Sequence, residues 1–305
     1  MTAGARALLE EQAHRFASLD ALLPGAPSPP DGDVITAALD NGRRVAGMLL
    51  HTTHDEDAIS SLWSAREVSE LHPLLGDTGH QGMDALLRGW RHLLDRGESL
   101  GEDSACVVTW PSRDTEVTRA LLDHGLMPLS VLAVRTTAPS QPGPSPITVR
   151  RAGLRDLEAV VRLALDELSY SAHVGPTSAR PNAAELKRTM FRRRLERDEP
   201  VWLAERDGVP VGMVDCVVSD VDADSILPQG RWGYINTAST APSARDTGVG
   251  QQLMAHAHAE LHRLGVRGSY LYYNLPNPLS SVFWAKQDYR PLWTIWEVRP
   301  ADALR

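Results

Sequence analysis

The residues from Asn236 to Leu261 hold the densest chemistry in the sequence. They read Asn-Thr-Ala-Ser-Thr-Ala-Pro-Ser-Ala-Arg-Asp-Thr-Gly-Val-Gly and continue as an Ala-, His- and Leu-rich run without Gly or Pro. A strand over Gly233 to Thr240 ends at Pro242, which cannot donate to a ladder and holds its predecessor extended. Arg245-x-x-Gly248-x-Gly250 follows, and a helix is expected from about Gln251 to Leu264. Glycine lets another molecule approach the backbone, and the first-turn N–H groups of a helix have no internal partner. An anion fits there, favoured by the helix dipole and by Arg245.

A second stretch lies about 25 residues on. Leu271 to Asn274 reads as a strand, and then comes Asn277-Pro-Leu-Ser280-Ser-Val-Phe283-Trp284-Ala-Lys-Gln-Asp288-Tyr289-Arg-Pro291. With both stretches in this order and spacing, the sequence resembles the GNAT acyltransferase superfamily. Thr240, Pro242, Arg245, Gly248 and Gly250 match its first motif; Asn277, Ser280, Phe283, Trp284 and Tyr289 match its second. Asp288 stands where the family usually has Gly.

The resemblance, which covers Ile147 to about Arg299, implies an α/β (α+β) fold, a mixed, mostly antiparallel twisted sheet flanked by helices. It implies acetyl-CoA as co-substrate and no metal. Ala238, Ser239 and Thr240 would bind the pantetheine and polarise the thioester. The loop Arg245, Asp246, Thr247, Gly248, Val249 and Gly250 would cradle the pyrophosphate, and Asn277 and Ser280 would meet the far arm of the cofactor. Some members place a carboxylate where this chain has Tyr234, which is therefore the candidate catalytic position. A phenol with a pKa near 10 is a poor base, so a water relay is the expected role. The family's usual tyrosine acid falls on Trp284, which has no acidic proton to give, leaving direct thiolate release or donation from Tyr272 or Tyr273 as alternatives.

Other chemistry-bearing residues have plainer readings. Asp215, in a hairpin strand over Val211 to Val218, is expected to face solvent. Arg192, Arg193 and Arg194 read as a solvated helix face. His256, His258 and His262 share one helix, but no other ligand type converges on them. Cys106 and Cys216 are too few for a disulfide framework or a zinc site and read as small core residues.

The elements that must position these residues occupy 305 residues, enough for two domains. The net charge of −8 is uneven, since residues 1–145 carry 11 Arg and no Lys against 20 Asp plus Glu. Nucleic acid gains nothing from that balance, whereas a cationic substrate does. No apolar run is long enough to span a bilayer and no signal peptide is legible, so no membrane association and a cytoplasmic location are expected.

Along the first half, helices are expected over Ala5 to Ala21, Glu67 to Leu74, Met83 to Asp95 and Thr115 to His124. Strands are expected over Val34 to Leu39, Val45 to His51, Ala105 to Trp110 and Leu129 to Val134. The Pro-rich run Thr136 to Pro146 reads as a linker, giving domains over 1–136 and 147–305 joined by 137–146. In the second half, strands over Ile147 to Arg150 and Val201 to Glu205 flank helices over Asp156 to Leu168 and Ala183 to Arg197.

The halves repeat each other. Val34-Ile-Thr-Ala, Asn41-Gly42 and Val45-Ala-Gly47-Met48 mirror Val201-Trp-Leu-Ala, Asp207-Gly208 and Val211-Gly212-Met213, while Asp114 and Pro128-Leu129 mirror Asn277 and Pro291-Leu292 at nearly the same offset. Two tandem GNAT-like domains follow, the first degenerate. Its loop, Leu75 to Gly82, keeps Asp77-Thr78-Gly79 but lacks the preceding Arg, so pyrophosphate binding there should be poor. The expected function is N-acetyl transfer to an amine, a small molecule before a protein lysine or N-terminus, by a pseudo-dimeric monomer or a homodimer. The rival is a silent acyl-CoA-binding or regulatory protein.

Overall fold

Two short turns set the plan of the molecule. At Asn41-Gly42 and at Asp207-Gly208 the chain reverses between strands, with Gly42 at φ 80°, Asp207 at 52° and Gly208 at 74°. Positive φ at both central residues of the second turn matches the twist of the strands it joins. A computed structural model describes residues 3–25, 30–97, 99–139, 143–175 and 177–305. Parts of the expected loops and linker (26–29, 140–142 and Pro176) lie outside the described residues.

The first half runs α1 (Ala3–Leu19), β1 (Asp33–Ala38), β2 (Arg44–Thr53), β3 (Glu67–Leu74), α2 (Gly79–Leu94), β4 (Ser104–Pro111), α3 (Thr115–Asp123) and β5 (Met127–Arg135). The second runs β6 (Thr148–Arg151), α4 (Leu157–Ser171), α5 (Ala183–Glu196), β7 (Val201–Arg206), β8 (Val209–Val221), β9 (Gly230–Thr240), α6 (Val249–Arg263), β10 (Gly268–Asn274), α7 (Pro278–Lys286) and β11 (Arg290–Val298). The order hairpin, strand, helix, strand, helix, strand occurs in both halves.

Glu67 to Leu74 is a strand, contrary to the helix expected there. Ser69, Leu71 and Pro73 are buried in alternation, a period of two that the short stretch conceals. Pro73 is tolerated because pairing with β4 ends at Leu71, so its missing N–H leaves no ladder position empty.

All eleven strands form one sheet in the order β1-β2-β3-β4-β11-β5-β10-β9-β8-β7-β6. The pairs β3 with β4 and β9 with β10 are parallel, and the other pairs are antiparallel. The last strand of each half sits across the middle: β11 lies between β4 and β5, and β5 between β11 and β10. The sheet therefore continues unbroken past the Pro-rich segment. One core gathers Leu71, Met83, Trp90 and Trp110 of the first half with Leu292, Trp293 and Trp296 of β11. Another joins Val131 and Ala133 of β5 to Ile235, Met254 and Trp284.

Candidate active site

In the second half two parallel strands start together and then part. β9 and β10 pair from Trp232 with Gly268 to Ile235 with Leu271, after which β9 continues to Thr240 bonded only to β8. The register against β8 slips at that point, with Asp215 opposite Thr237 and Cys216 opposite Ile235, so Asn236 is the extra residue of a bulge. The gap thus opens along Ala238, Ser239 and Thr240, on an edge that β10 no longer pairs.

The gap leads to the glycine loop. Asp246 has φ 58° and Gly248, the N-cap of α6, has φ 85° with no side-chain cap, so protein side chains leave the first-turn N–H groups to another partner. A Cβ at Gly248 would meet nothing within 4 Å, whereas at Gly250 it would press on the Phe283 ring at 3.1 Å. Gly248 therefore faces open space, and Gly250 serves the packing of α6 on α7. Arg245 lies 5.2 Å over the Tyr170 ring and has no carboxylate partner among the described residues. Arg206, which the sequence did not single out, donates to Thr247 Oγ1 at 2.5 Å and adds a second cation beside the loop. Val249 is buried against the sheet. Asn277 caps α7, its Oδ1 accepting from the N–H groups of Leu279 and Ser280 at 3.0 and 3.2 Å, and the Ser280 hydroxyl turns back onto backbone carbonyls.

The corresponding gap in the first half is filled by α1. Gln12 donates to the Pro73 carbonyl at 3.0 Å and accepts from the Leu75 N–H at 2.8 Å, holding the backbone edge that β4 leaves free. A Cβ at Gly76 would collide with the Glu11 carboxylate, and one at Gly79 would come 2.7 Å from Glu116 Oε2. Ion-paired side chains, Glu11 with Arg43 and Glu116 with Arg15, therefore stand over the loop that in the second half is open. Phe16 completes the plug, edge-on to Trp110 and Trp293 at 5.4 and 5.5 Å.

Beside the open gap stand three tyrosines. Tyr234 stacks on Tyr270 at 4.9 Å, and Tyr272 meets both edge-on at 6.1 and 6.5 Å. Burial pushes the Tyr234 phenol further above its ordinary value, so it stays protonated and cannot act as a base near neutral pH. Tyr289 is no substitute acid, because it is buried against Ser269 and His258 at 2.7 and 3.0 Å. Trp284 packs in the core, and the Tyr273 phenol is raised by burial.

Asp215 and Arg194 overturn two expectations. Asp215 is fully buried rather than solvent-facing, because β8 lies under α4 and Arg194 of α5 reaches over it. Its carboxylate meets Arg194 at 2.7 Å and accepts from Asn236 Nδ2 at 2.7 Å, so Arg194 is an internal counter-ion, not part of a solvated face. Burial raises the Asp215 pKa to about 6 against the pull of Arg194, and this pair anchors the bulge residue. Lys187 is also fully buried, 4.3 Å over Trp63 of the first half, and burial pulls its pKa down.

The remaining candidates are structural. His258 bonds Tyr289, His256 stands edge-on to Trp202, and no metal-binding cluster occurs among the described residues. Cys106 and Cys216 are free and buried, with burial pushing the Cys106 thiol up to about 12. Among the described residues no helix is long and apolar enough to cross a membrane.

Residues 163–289, which contain the gap, the bulge and the glycine loop, match the model of the acetyltransferase (GNAT) family. This part of the chain is a GNAT domain. The whole fold is similar to a GCN5-related N-acetyltransferase from Sphaerobacter thermophilus, with TM-score 0.57 and 15% identity over 97% of this chain and 93% of that one. It is also similar to a GNAT-family acetyltransferase from Colwellia psychrerythraea, with TM-score 0.52 and 14% identity over 86% and 84%. At such identities the likeness concerns the fold. No curated protein sequence matches the chain. The GNAT domain draws β5 from outside the matched residues to cover the far side of β10.

Proposed function

We propose that the chain is an acyl-CoA-dependent N-acyltransferase, using acetyl-CoA and acting on a small amine. The observation that carries the reading is the pairing of an unbonded β9 edge past the Asn236 bulge with an open, glycine-lined helix N-terminus flanked by Arg245 and Arg206. Such an edge suits the amides of a pantetheine arm, and the loop suits a pyrophosphate. The amine nitrogen attacks the thioester carbonyl carbon, the C–S bond breaks, and the departing thiolate takes up a proton, giving an amide and free thiol. Backbone N–H groups at the bulge would stabilise the oxyanion, worth about 3 to 4 kcal/mol per donor in comparable sites.

An ammonium acceptor must first lose a proton. Asp215 is tied to Arg194 and Asn236, and Tyr234 stays protonated. Glu167 of α4 is half-buried, accepts from the Ser171 hydroxyl at 2.6 Å and has no arginine partner, and its charge is felt by the buried Lys187 and, more weakly, by the Tyr234 phenol. We assign it the proton, taken through water. Thiol release from acetyl-CoA against a panel of amines tests the reading. Amine-dependent release supports it, and tight coenzyme A binding without release from any amine would replace it with a binding protein.

A further inference from the structure

The connection between α4 and α5 reaches from the candidate site into the first half. At its near end Tyr170, in the last turn of α4, lies 5.2 Å under Arg245, beside the glycine loop that follows β9. Gly175 then packs on the last residue of β10, where a Cβ would come 2.2 Å from Asn274 Nδ2. Because β9 and β10 run parallel and part after Ile235 and Leu271, these two contacts touch both lips of the gap at its open end. The connection therefore crosses the mouth of the gap.

Its far end is fastened to the first half. Ser178 donates its N–H to the Leu62 carbonyl at 3.2 Å, and its hydroxyl accepts from Arg299 Nη1 at 3.3 Å. The Arg180 guanidinium forks onto the Asp103 carboxylate at 2.5 and 3.2 Å and donates to the Ser61 and Ser64 carbonyls at 3.2 and 3.3 Å. All four of these hydrogen bonds end in the first half. Asn182, the N-cap of α5, donates to the Glu56 carbonyl and to Asp57 Oδ1 at 3.0 and 3.1 Å. Further along α5, Lys187 lies buried against Trp63, 4.3 Å from the centre of its ring.

The two sides of the sheet divide the approach to the gap. On β7, Trp202 and Ala204 join the core of α6, whereas Val201 and Leu203 join that of α4 and α5, so α6 lies on the opposite face from the other two. A cofactor seated on the β9 edge and the first turn of α6 leaves the α4 and α5 face, where the connection lies, to the acceptor.

We propose that Arg180 is a positioning residue for the acceptor: by tying the connection to Asp103 and to the Ser61 and Ser64 carbonyls, it holds the acceptor-side wall across the gap. The degenerate half thereby shapes the site of the working half. The proposal deepens the acyltransferase reading and rests on it.

The test uses the full chain, acetyl-CoA and the amine of highest kcat/KM in the panel. Arg180→Ala and Asp103→Asn should each raise the acceptor KM about tenfold, with kcat changed less than threefold and coenzyme A affinity unchanged. The double variant should be no worse than the worse single, because both remove one clasp. Arg180→Lys should recover part of the KM, since a lysine keeps the charge pair without the fork. Arg290→Ala is the control, breaking a different bridge between the halves, to Asp20, that touches no residue of the connection. It should leave the acceptor KM unchanged, whereas a merely structural role would raise KM in both. An unchanged KM in Arg180→Ala, an equal rise in Arg290→Ala, or fully additive effects in the double variant overturns the proposal. Should Arg180→Ala fail to bind coenzyme A, Asp103→Asn decides in its place. If coenzyme A binds but no amine is turned over, the acyltransferase reading has failed on its own. Calorimetry of the same amines on the protein loaded with coenzyme A then decides the proposal: affinity weakened by Arg180→Ala upholds it, and equal affinity or no binding removes it.

Discussion

Gly248→Ala separates the cost of a backbone conformation from the cost of a lost ligand. At φ 85° an alanine is strained by about 1–2 kcal/mol, and since its Cβ would meet nothing within 4 Å, no packing term adds to that. Gly208 offers a matched control, with φ 74°, equally open surroundings and a place in the β7–β8 turn. Both variants should lose similar stability, lowering Tm by about 2 °C for each kcal/mol in a chain of this size. They should part in ligand binding. The added methyl stands where a pyrophosphate would approach the first turn of α6, and losing one charge-assisted hydrogen bond costs about 1.5–3 kcal/mol, or roughly 10- to 150-fold in Kd. Calorimetry with coenzyme A beside thermal unfolding reads both quantities. Equal affinities in Gly248→Ala and Gly208→Ala would refute the assignment of the loop.

Two further outcomes follow from neighbouring features. Because Gln12 and Phe16 of α1 fill the gap between β3 and β4, coenzyme A should bind with a stoichiometry near one per chain, and a second site of comparable affinity would contradict the plug. Because Asp215 has a pKa of about 6 and holds Asn236, its carboxylate gains a proton as pH falls through that value, so kcat/KM should fall on the acid side. The groups facing it are Arg194, Asn236, Lys187 and Glu199. Asp215→Asn should lower the rate about tenfold above pH 7, consistent with exchanging a charged acceptor for a neutral one. It should also abolish the acid limb when measured with an acceptor amine of low pKa, and a limb that persists would clear Asp215 of the role.

The shape of the glycine loop was legible in the sequence because its geometry is local. Glycine spacing, Pro242 and the helix after them lie within one stretch, and Asp288 replaces a family glycine without harm because it takes φ 64°, a conformation aspartate tolerates. What escaped depended on distant partners. Glu67 to Leu74 looked helical until β2 and β4 flanked it. Asp215 looked exposed because nothing in its own strand announces that Arg194 of α5 would cover it. Gln12 as the occupant of a gap, and Lys187 of α5 over Trp63 of the first half, are products of topology that no motif records.

The interleaving of β5 and β11 has a consequence for synthesis. A chain emerging at about 5–20 residues per second completes β4 on the order of ten seconds before β11 exists to pair with it. Until then Cys106-Val107-Val108-Thr109-Trp110 presents an open, apolar strand edge of the kind that recruits other chains. The nascent first half therefore cannot mature on its own, and a ribosome that stalls between Pro111 and Arg290 leaves behind a fragment with no partner of its own to cap that edge.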